Sequence, residues 1–173
     1  GAAVTVLEQG PRFAGEATWS SAGMIGAQSK ALEDDAYFAA TLDSRDRWPA
    51  LAADLAAASG QTFGYHPEGC IHLAFGASYE RRLESKYLWQ KRRAGALTRY
   101  DGEAMRERWP MLSPRVSCVF FADGDQWVDN ERLGPALEEA CRRAGVQLCA
   151  EEAVLGLEQT KATWAVRTSK RSL

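Results

Sequence analysis

The sequence predicts a mixed α/β fold in which a unit with parallel strands is interrupted by a second domain with antiparallel strands. Short apolar strand-like segments lie near both ends of the 173 residues, at Ala3–Leu7 and at 146–149. Between them, short strands around tight turns alternate with charged helices, which is typical of an antiparallel domain. We therefore expect residues 1–30 and 125–173 to form one domain and residues 31–124 to form the other.

The first third of the chain contains one strand, one run of small residues and one long helix. Ala3–Leu7 is apolar and predicts a short buried strand that ends in a turn at Gly10 and Pro11. Residues 14–28 are small and polar, and such a run suits a backbone that approaches another group closely. Residues 31–59 have helical periodicity. Pro49 lies inside this pattern, so we expect a kink or two helices, and Gly60 ends it.

The remaining elements follow from shorter patterns. Residues 63–75 predict two strands around the Pro67-Glu68-Gly69 turn, followed by a charged helix from Ser78 to about Ala94. Asp101 is suited to be the N-cap of a helix that ends near Trp109. The other predicted elements are a strand at 96–100, a strand at 116–122, a loop at 123–129, an amphipathic helix at 130–144 that is closed by Gly145, and strands at 146–149, 153–157 and 163–168.

Composition excludes several classes of protein. The net charge of −2 gives no strong field for nucleic acid or an anionic membrane, and no apolar stretch approaches the roughly 20 residues that span a bilayer. The four cysteines show no C-x-x-C spacing, which favours reduced thiols and a cytoplasmic location. With only two histidines, neither in a ligand motif, we expect no metal site. Ser20 and Ser21 have no suitably spaced histidine, which argues against a hydrolase triad.

Glu8 is the first candidate binding residue. In dinucleotide-binding folds an acidic residue ends the second strand and accepts hydrogen bonds from ribose hydroxyls, although such a residue also occurs in ordinary solvated turns. The phosphate-binding G-x-G-x-x-G turn should lie about 20 residues earlier. Only seven residues precede Glu8, so we expect that this turn lies outside the chain and that both ends are cut.

The second candidate is the run from Ala17 to Met24, where hydroxyls and backbone amides are concentrated among small side chains. This composition can cradle a pyrophosphate and lets the backbone lie along a flat ring, and it also fits a flexible surface loop. Composition alone does not separate these two interpretations.

Taken together, these segments resemble the D-amino acid oxidase superfamily of FAD-dependent oxidoreductases. Glu8 followed by Ser20-Ser21-Ala22-Gly23-Met24-Ile25-Gly26-Ala27 is most similar to the glycine oxidases of thiamine biosynthesis, which have A-A-G-M-L after a small-residue turn. Residues 69–75 resemble the G-x-x-x-L-A strand of this family, and residues 125–133 resemble its D-x-x-V-D-P-x-x-L segment. Trp19 and Asn130 depart from the family pattern, which has a small or hydroxylic residue and a proline there.

The resemblance implies an incomplete Rossmann-like FAD-binding domain that is interrupted by an antiparallel-sheet substrate domain. It also assigns roles residue by residue. Glu8 and Gln9 would hold the adenosine ribose, Ala17 and Thr18 would meet the pyrophosphate, Ala22, Gly23 and Met24 would pass the flavin ring, Gly26 would lie on the substrate side, and Val154 would bind adenine. The family's substrate clamp, an arginine and a tyrosine, lies in the C-terminal half, so no catalytic residue is assigned within this chain.

The function implied is oxidation of glycine or a similar small amino acid to an imine, with hydride transfer to flavin and formation of hydrogen peroxide. Within the superfamily, a sarcosine oxidase or a D-amino acid dehydrogenase is the alternative. A non-catalytic partial fold that needs a partner, and an NAD-dependent dehydrogenase, are alternatives of other classes. The choice of oxygen or quinone as acceptor and the formation of a homo-oligomer stay open. We expect the chain alone to bind FAD weakly or not at all and to be inactive.

Overall fold

The computed structural model describes residues 1–94, 97–159, 161 and 163–173, and it has the mixed α/β fold that the sequence predicts. These residues form two compact units. Unit 1 comprises residues 1–23, 52–64 and 129–173, and unit 2 comprises residues 24–51 and 65–128. The division into an FAD-binding domain and a substrate domain near residues 30 and 125 stays a prediction.

The helices and strands are named in chain order. The helices are α1 (Ala17–Ser20), α2 (Ala27–Lys30), α3 (Ala36–Ser59), α4 (Ala77–Ala94), α5 (Gly102–Arg108) and α6 (Asn130–Arg143). The strands are β1 (Thr5–Leu7), β2 (Met24–Ile25), β3 (Tyr65–His66), β4 (Cys70–Ala74), β5 (Leu97–Asp101), β6 (Cys118–Ala122), β7 (Gln126–Val128), β8 (Gln147–Cys149), β9 (Val154–Gln159) and β10 (Trp164–Thr168). None of the helices among the described residues is long and apolar enough to span a bilayer.

Unit 1 contains a parallel pair, β1 with β8, and an antiparallel pair, β9 with β10. Helix α6 directly precedes β8 in the chain. The Asp129 carboxylate caps this helix by accepting the Glu131 N–H at 3.0 Å, and Gly145 follows it with a φ of 76°. A positive φ favours glycine, so the predicted amphipathic helix with a glycine stop is confirmed.

Unit 2 contains two three-stranded antiparallel sheets, with strand orders β2-β7-β3 and β4-β6-β5. Side chains of β6 alternate between two faces of the second sheet. Cys118 and Phe120 are buried with Leu83 and Tyr87 of α4. Val119 is buried with residues that include Met105 of α5. The middle of the chain is therefore antiparallel, as predicted, and helices cover both faces of this sheet.

Two predictions about secondary structure need correction. Of the two alternatives for residues 31–59, two separate helices is wrong, because α3 continues through Pro49; a kink at this proline stays a prediction. The predicted loop at 123–129 contains strand β7, which pairs with β2 on one side and β3 on the other. A three-residue strand of this kind is stabilised by distant partners and has no period of its own to read.

Two further expectations are confirmed and one is wrong. The predicted strands of residues 63–75 form as β3 and β4, which belong to different sheets. Asp101 occupies the N-cap of α5 without a side-chain cap bond, since its carboxylate accepts Arg99 Nε at 3.3 Å instead. The first strand is not buried as predicted, since Val6 is 37% exposed. The predicted strand at 96–100 begins at a residue outside those described; Leu97–Asp101 form β5.

Candidate functional site

Glu8 stands at the carboxyl end of β1 and is held there by its backbone. Its N–H donates to Cys149 O at 2.9 Å, and its carbonyl accepts the Glu152 N–H at 2.9 Å. The side-chain Oε1 accepts the Gly10 N–H at 2.6 Å, which leaves the other carboxylate oxygen available to further donors. Ligands of parallel α/β units bind beyond the carboxyl ends of the strands, and Glu8 lies at such an end. Gln9, the next residue, is exposed.

Ala17 and Thr18 form the first turn of α1, a helix of four residues. The first N–H groups of a helix have no partner within it, so small residues at this point give a ligand access to backbone donors. Trp19, which departs from the family pattern, is 37% exposed and lies against the Arg12 guanidinium, 4.3 Å from its ring centre. The large side chain is therefore accommodated at the surface by a cation–π contact.

The segment from Ser21 to Gly23 is anchored to α6 within unit 1. Asn130 Nδ2 donates to both the carbonyl and the hydroxyl oxygen of Ser21. Gly23 is buried and has a φ of 67°, a backbone conformation that residues other than glycine rarely adopt. Ala22 between them is exposed, so its backbone is accessible to a ligand. One feature of the sequence points to this anchor, namely the asparagine at a position where the family has proline.

Val154 is the first residue of β9 and is 49% exposed. The segment before it is fixed by Glu152, which is only 4% exposed and accepts Thr168 Oγ1 at 2.8 Å and Arg171 Nε at 2.9 Å. These hydrogen bonds lower the pKa of the Glu152 carboxyl below its usual range. Since Glu152 also donates its N–H to Glu8 O, the structure brings the predicted ribose and adenine residues onto neighbouring segments of unit 1.

Met24 and Gly26 belong to unit 2, where the chain forms a short strand and then a tight turn. Met24 is 48% exposed and pairs with Trp127 in the β2–β7 register. Gly26 follows, and Ser29 Oγ donates to its carbonyl at 2.8 Å. A Cβ on Gly26 would lie 2.3 Å from Ser29 Oγ and 3.3 Å from Asp125 Oδ2. Glycine is needed here for space, which agrees with a backbone that closely approaches its surroundings.

Asp125 organises this turn, a role that the sequence did not assign to it although it begins the segment that resembles D-x-x-V-D-P-x-x-L. Its side chain is fully buried and accepts the N–H groups of Gln28 and Ser29, each at 3.3 Å. Arg45, with a side chain 8% exposed, places Nη1 3.7 Å from Asp125 Oδ1 and pairs with Asp46 at 2.8 Å. Burial raises the pKa of the Asp125 carboxyl, while the Gln28 N–H and the Arg45 guanidinium act in the opposite direction.

An open cavity of about 260 Å³ adjoins the turn within unit 2. Met24, Gly26 and α3 residues that include Tyr37 and Arg45 line it, as does Lys30. Arg45 is already paired with carboxylates, whereas Lys30 has no carboxylate within 4.0 Å among the described residues. The cavity therefore has the backbone of Gly26 on one side and the unpaired ammonium group of Lys30 on another. This combination suits a small anionic molecule.

No group of three or more His, Cys, Asp or Glu side chains in the described part of the chain is arranged to hold a metal ion. Unit 1 has exposed backbone near Ala22 and the Glu8 carboxylate, and unit 2 has a cavity lined by an unpaired cation. The predicted site residues include no nucleophile paired with a base.

Residues 1–173 match the family described as DAO, FAD dependent oxidoreductase, and the chain belongs to that family. It is 27% identical to the glycine oxidase of Bacillus subtilis over 164 residues, which is 95% of this chain and 43% of that protein. The crystal structure of glycine oxidase from Geobacillus kaustophilus superposes with a TM-score of 0.89 at 25% identity, over 98% of this chain and 45% of that chain.

The fold is also shared with more distant proteins. L-α-glycerophosphate oxidase from Mycoplasma pneumoniae, solved with FAD bound, has a TM-score of 0.77 at 16% identity, over 97% of this chain and 44% of that one. The chain therefore spans less than half the length of each of these three proteins. The family is FAD-dependent, and the predicted resemblance to glycine oxidase-like FAD-dependent oxidoreductases is confirmed.

The residues present fit part of an FAD molecule. Glu8 has a free carboxylate oxygen at a strand end, the α1 turn and the Ser21–Gly23 segment expose backbone, and Gly26 has no room for a side chain. The individual contacts with FAD stay predictions.

Proposed function

We propose that this chain contributes the adenosine-binding side and one wall of the substrate site of an FAD-dependent amino acid oxidase. The observation that most supports this proposal is the position of Glu8, which is held by backbone hydrogen bonds at the carboxyl end of a parallel strand. In that position it would accept the ribose hydroxyls, with Gln9 beside it and the backbone of Val154 meeting adenine. The family membership supports FAD rather than NAD as the dinucleotide.

The remaining proposed contacts involve the pyrophosphate and the flavin ring of the same FAD molecule. Ala17 and Thr18 would donate backbone N–H groups to the pyrophosphate, which carries the negative charge that such donors favour. Ala22, Gly23 and Met24 would present backbone to the flavin ring. When bound, FAD supplies the two-electron acceptor that converts an amine to an imine, which water then hydrolyses.

The substrate proposed is glycine or a similarly small amino acid. Gly26 lies in the cavity wall, and the unpaired Lys30 ammonium would attract the substrate carboxylate into the cavity. Similarity to glycine oxidases supports this class of substrate. The proposal includes reoxidation of the reduced flavin by oxygen, which gives hydrogen peroxide. Sarcosine or a D-amino acid would fit the same carboxylate requirement, so a substrate panel decides among them.

The cofactor proposal is tested by titrating FAD and riboflavin against the chain and following flavin fluorescence. We expect weak but saturable FAD binding, which Glu8→Gln weakens by about fivefold or more because a charge-assisted hydrogen bond is lost. Riboflavin has no adenosine, so the same substitution should leave its binding unchanged. Glu16→Gln, an exposed acidic residue nearby, is the control. Equal FAD affinity of Glu8→Gln and the wild type would contradict the proposal.

The substrate proposal is tested in a hybrid in which this chain replaces the matching segment of the Geobacillus glycine oxidase. Glycine, sarcosine and a panel of D-amino acids are added without oxygen, and loss of flavin absorbance is followed. We expect glycine or sarcosine to bleach the flavin and Lys30→Gln to raise KM more than it lowers kcat. A flavin-bearing hybrid that responds to none of these amines would contradict the assignment.

A further inference from the structure

A second and larger cavity, of about 620 Å³, lies in unit 2 between the end of α2, strand β4 and helix α4. It is lined by two cations, Arg82 and Lys86, and by aromatic side chains, Tyr79, Tyr87 and Trp89. The function proposed above does not use any of these residues. The two cavities share no lining residue among those described.

In the described part of the chain, the two cations that line this cavity have no carboxylate in contact, and the buried Asp125 carboxylate acts on Lys86 only from a longer distance. Arg82 and Lys86 are four residues apart on α4, so they lie on the same face of the helix and repel one another. The lining contains no carboxylate, and neither cation has a carboxylate within 4.0 Å among the described residues. Lys86 Nζ donates to Ser29 O at 2.6 Å, and the Arg82 guanidinium lies 4.4 Å from the centre of the Tyr79 ring. An anion bound here would relieve the repulsion.

Two buried polar atoms of the lining also have no partner. Tyr87 is only 3% exposed, and its hydroxyl makes no hydrogen bond within the described part of the chain. His72 Nε2 is likewise buried without a partner. The rings of these two residues are 5.4 Å apart, so both unsatisfied groups belong to one region. Buried groups of this kind are usually paired, and an unpaired one costs stability. Neither atom has surface open to the cavity, so a ligand would reach them by displacing the side chains that line it, and the new hydrogen bonds would offset that cost.

We propose that this cavity binds a small carboxylate that has a planar apolar group. Arg82 and Lys86 would hold the carboxylate, and the Tyr87 hydroxyl and the His72 ring would make the hydrogen bonds that they now lack. Tyr79 and Trp89 provide aromatic surface for the planar group. The desolvated His72 has a pKa lowered to about 4, with Lys86 contributing to the shift, so the ring is neutral near pH 7 and offers one donor and one acceptor.

The test is a fluorine NMR titration of the chain with 4-fluorophenylacetate, in the absence of flavin. The neutral 4-fluorophenylacetamide has nearly the same shape and is the ligand control. We expect the carboxylate to bind at least about tenfold more tightly than the amide, since its hydrogen bonds to the cations are charge-assisted. Because no flavin is present, failure of this experiment and failure of the oxidase proposal are separate outcomes.

Variants locate the site. Arg82→Gln with Lys86→Gln should weaken binding of the carboxylate by about tenfold or more, a loss expected when charge-assisted bonds are removed. Arg81→Gln with Arg92→Gln makes the same change in charge at exposed positions that do not line this cavity, and should leave the affinity unchanged. Equal losses in both pairs, or equal binding of acid and amide by the wild type, would overturn the proposal.

Tyr87→Phe provides an independent measurement. Removing an unpaired buried hydroxyl should leave the melting temperature of the unliganded chain unchanged or higher. The same variant should bind the carboxylate several-fold more weakly, because the hydroxyl no longer meets the ligand. If Tyr87→Phe lowers the melting temperature and leaves the affinity unchanged, the hydroxyl serves the fold and the proposed ligand contact is wrong.

Discussion

The buried carboxylate of Asp125 accepts the backbone N–H of Gln28 at 3.3 Å, although 97 residues separate them in the sequence. The second carboxylate oxygen accepts the N–H of Ser29, so one side chain satisfies two consecutive donors of the turn that follows Gly26. Arg45 neutralises part of its charge. The backbone proposed to border the substrate is thus held by a residue of another loop within unit 2.

Asp125→Asn should destabilise the chain by about 2–4 kcal/mol, because the amide has only one acceptor oxygen and leaves Arg45 with less compensation. Urea unfolding followed by circular dichroism measures the change. Asp46→Asn is the matched control, since the Asp46 side chain is 64% exposed and pairs with the same arginine. An exposed pair contributes about 1 kcal/mol or less, so a loss in the control as large as in Asp125→Asn would refute this role.

Gly26→Ala should destabilise the chain because the new Cβ would overlap Ser29 Oγ at 2.3 Å. The φ of Gly26 is −108°, so the cost is steric and comes from contacts rather than from backbone strain. We expect a loss of about 1–3 kcal/mol, of which Ser29→Ala in the double variant recovers a part. A double-mutant cycle by urea unfolding measures the coupling, and strictly additive effects would show that the overlap is relieved elsewhere.

The sequence predicted the regular elements well where a period or a stop signal was present. Helix α6 shows this, since its amphipathic pattern and Gly145 define its length within one residue. The glycines also marked true constraints, because Gly23 has a positive φ and Gly26 has no space for a Cβ. Local pattern and local geometry agree in these cases.

The sequence was uninformative where structure depends on distant partners. Strand β7 has three residues and exists because it pairs with strands about 60 and 100 positions earlier, a range over which single-sequence patterns carry little information. Asp125 precedes it in a turn where an acidic residue is ordinarily solvated. Only the fold shows that this carboxylate is buried and that backbone donors converge on it.

Asn130→Ala should loosen the Ser21–Gly23 segment, because both hydrogen bonds from Nδ2 to Ser21 are lost. We expect a loss of stability of about 1–2 kcal/mol, the value of one or two buried hydrogen bonds. Amide hydrogen exchange of residues 21–23 measures the local effect and should become faster. Asn130→Pro should give the same exchange with α6 intact, since proline is tolerated at the first position of a helix. Unchanged exchange in both variants would show that the segment is held by other contacts.

His72→Gln should make the chain less sensitive to acid between about pH 6.5 and pH 4. The folded state lowers the pKa of His72 to about 4, because burial penalises the charged ring and Lys86 repels it. The unfolded chain, with the usual value near 6.5, binds the proton more readily over this range, so stability falls as the pH falls through it. Melting temperatures of the wild type should therefore drop faster than those of His72→Gln as the pH is lowered from 7 to 4. Parallel curves for the wild type and His72→Gln would show that His72 is protonated as easily in the folded chain as in the unfolded one.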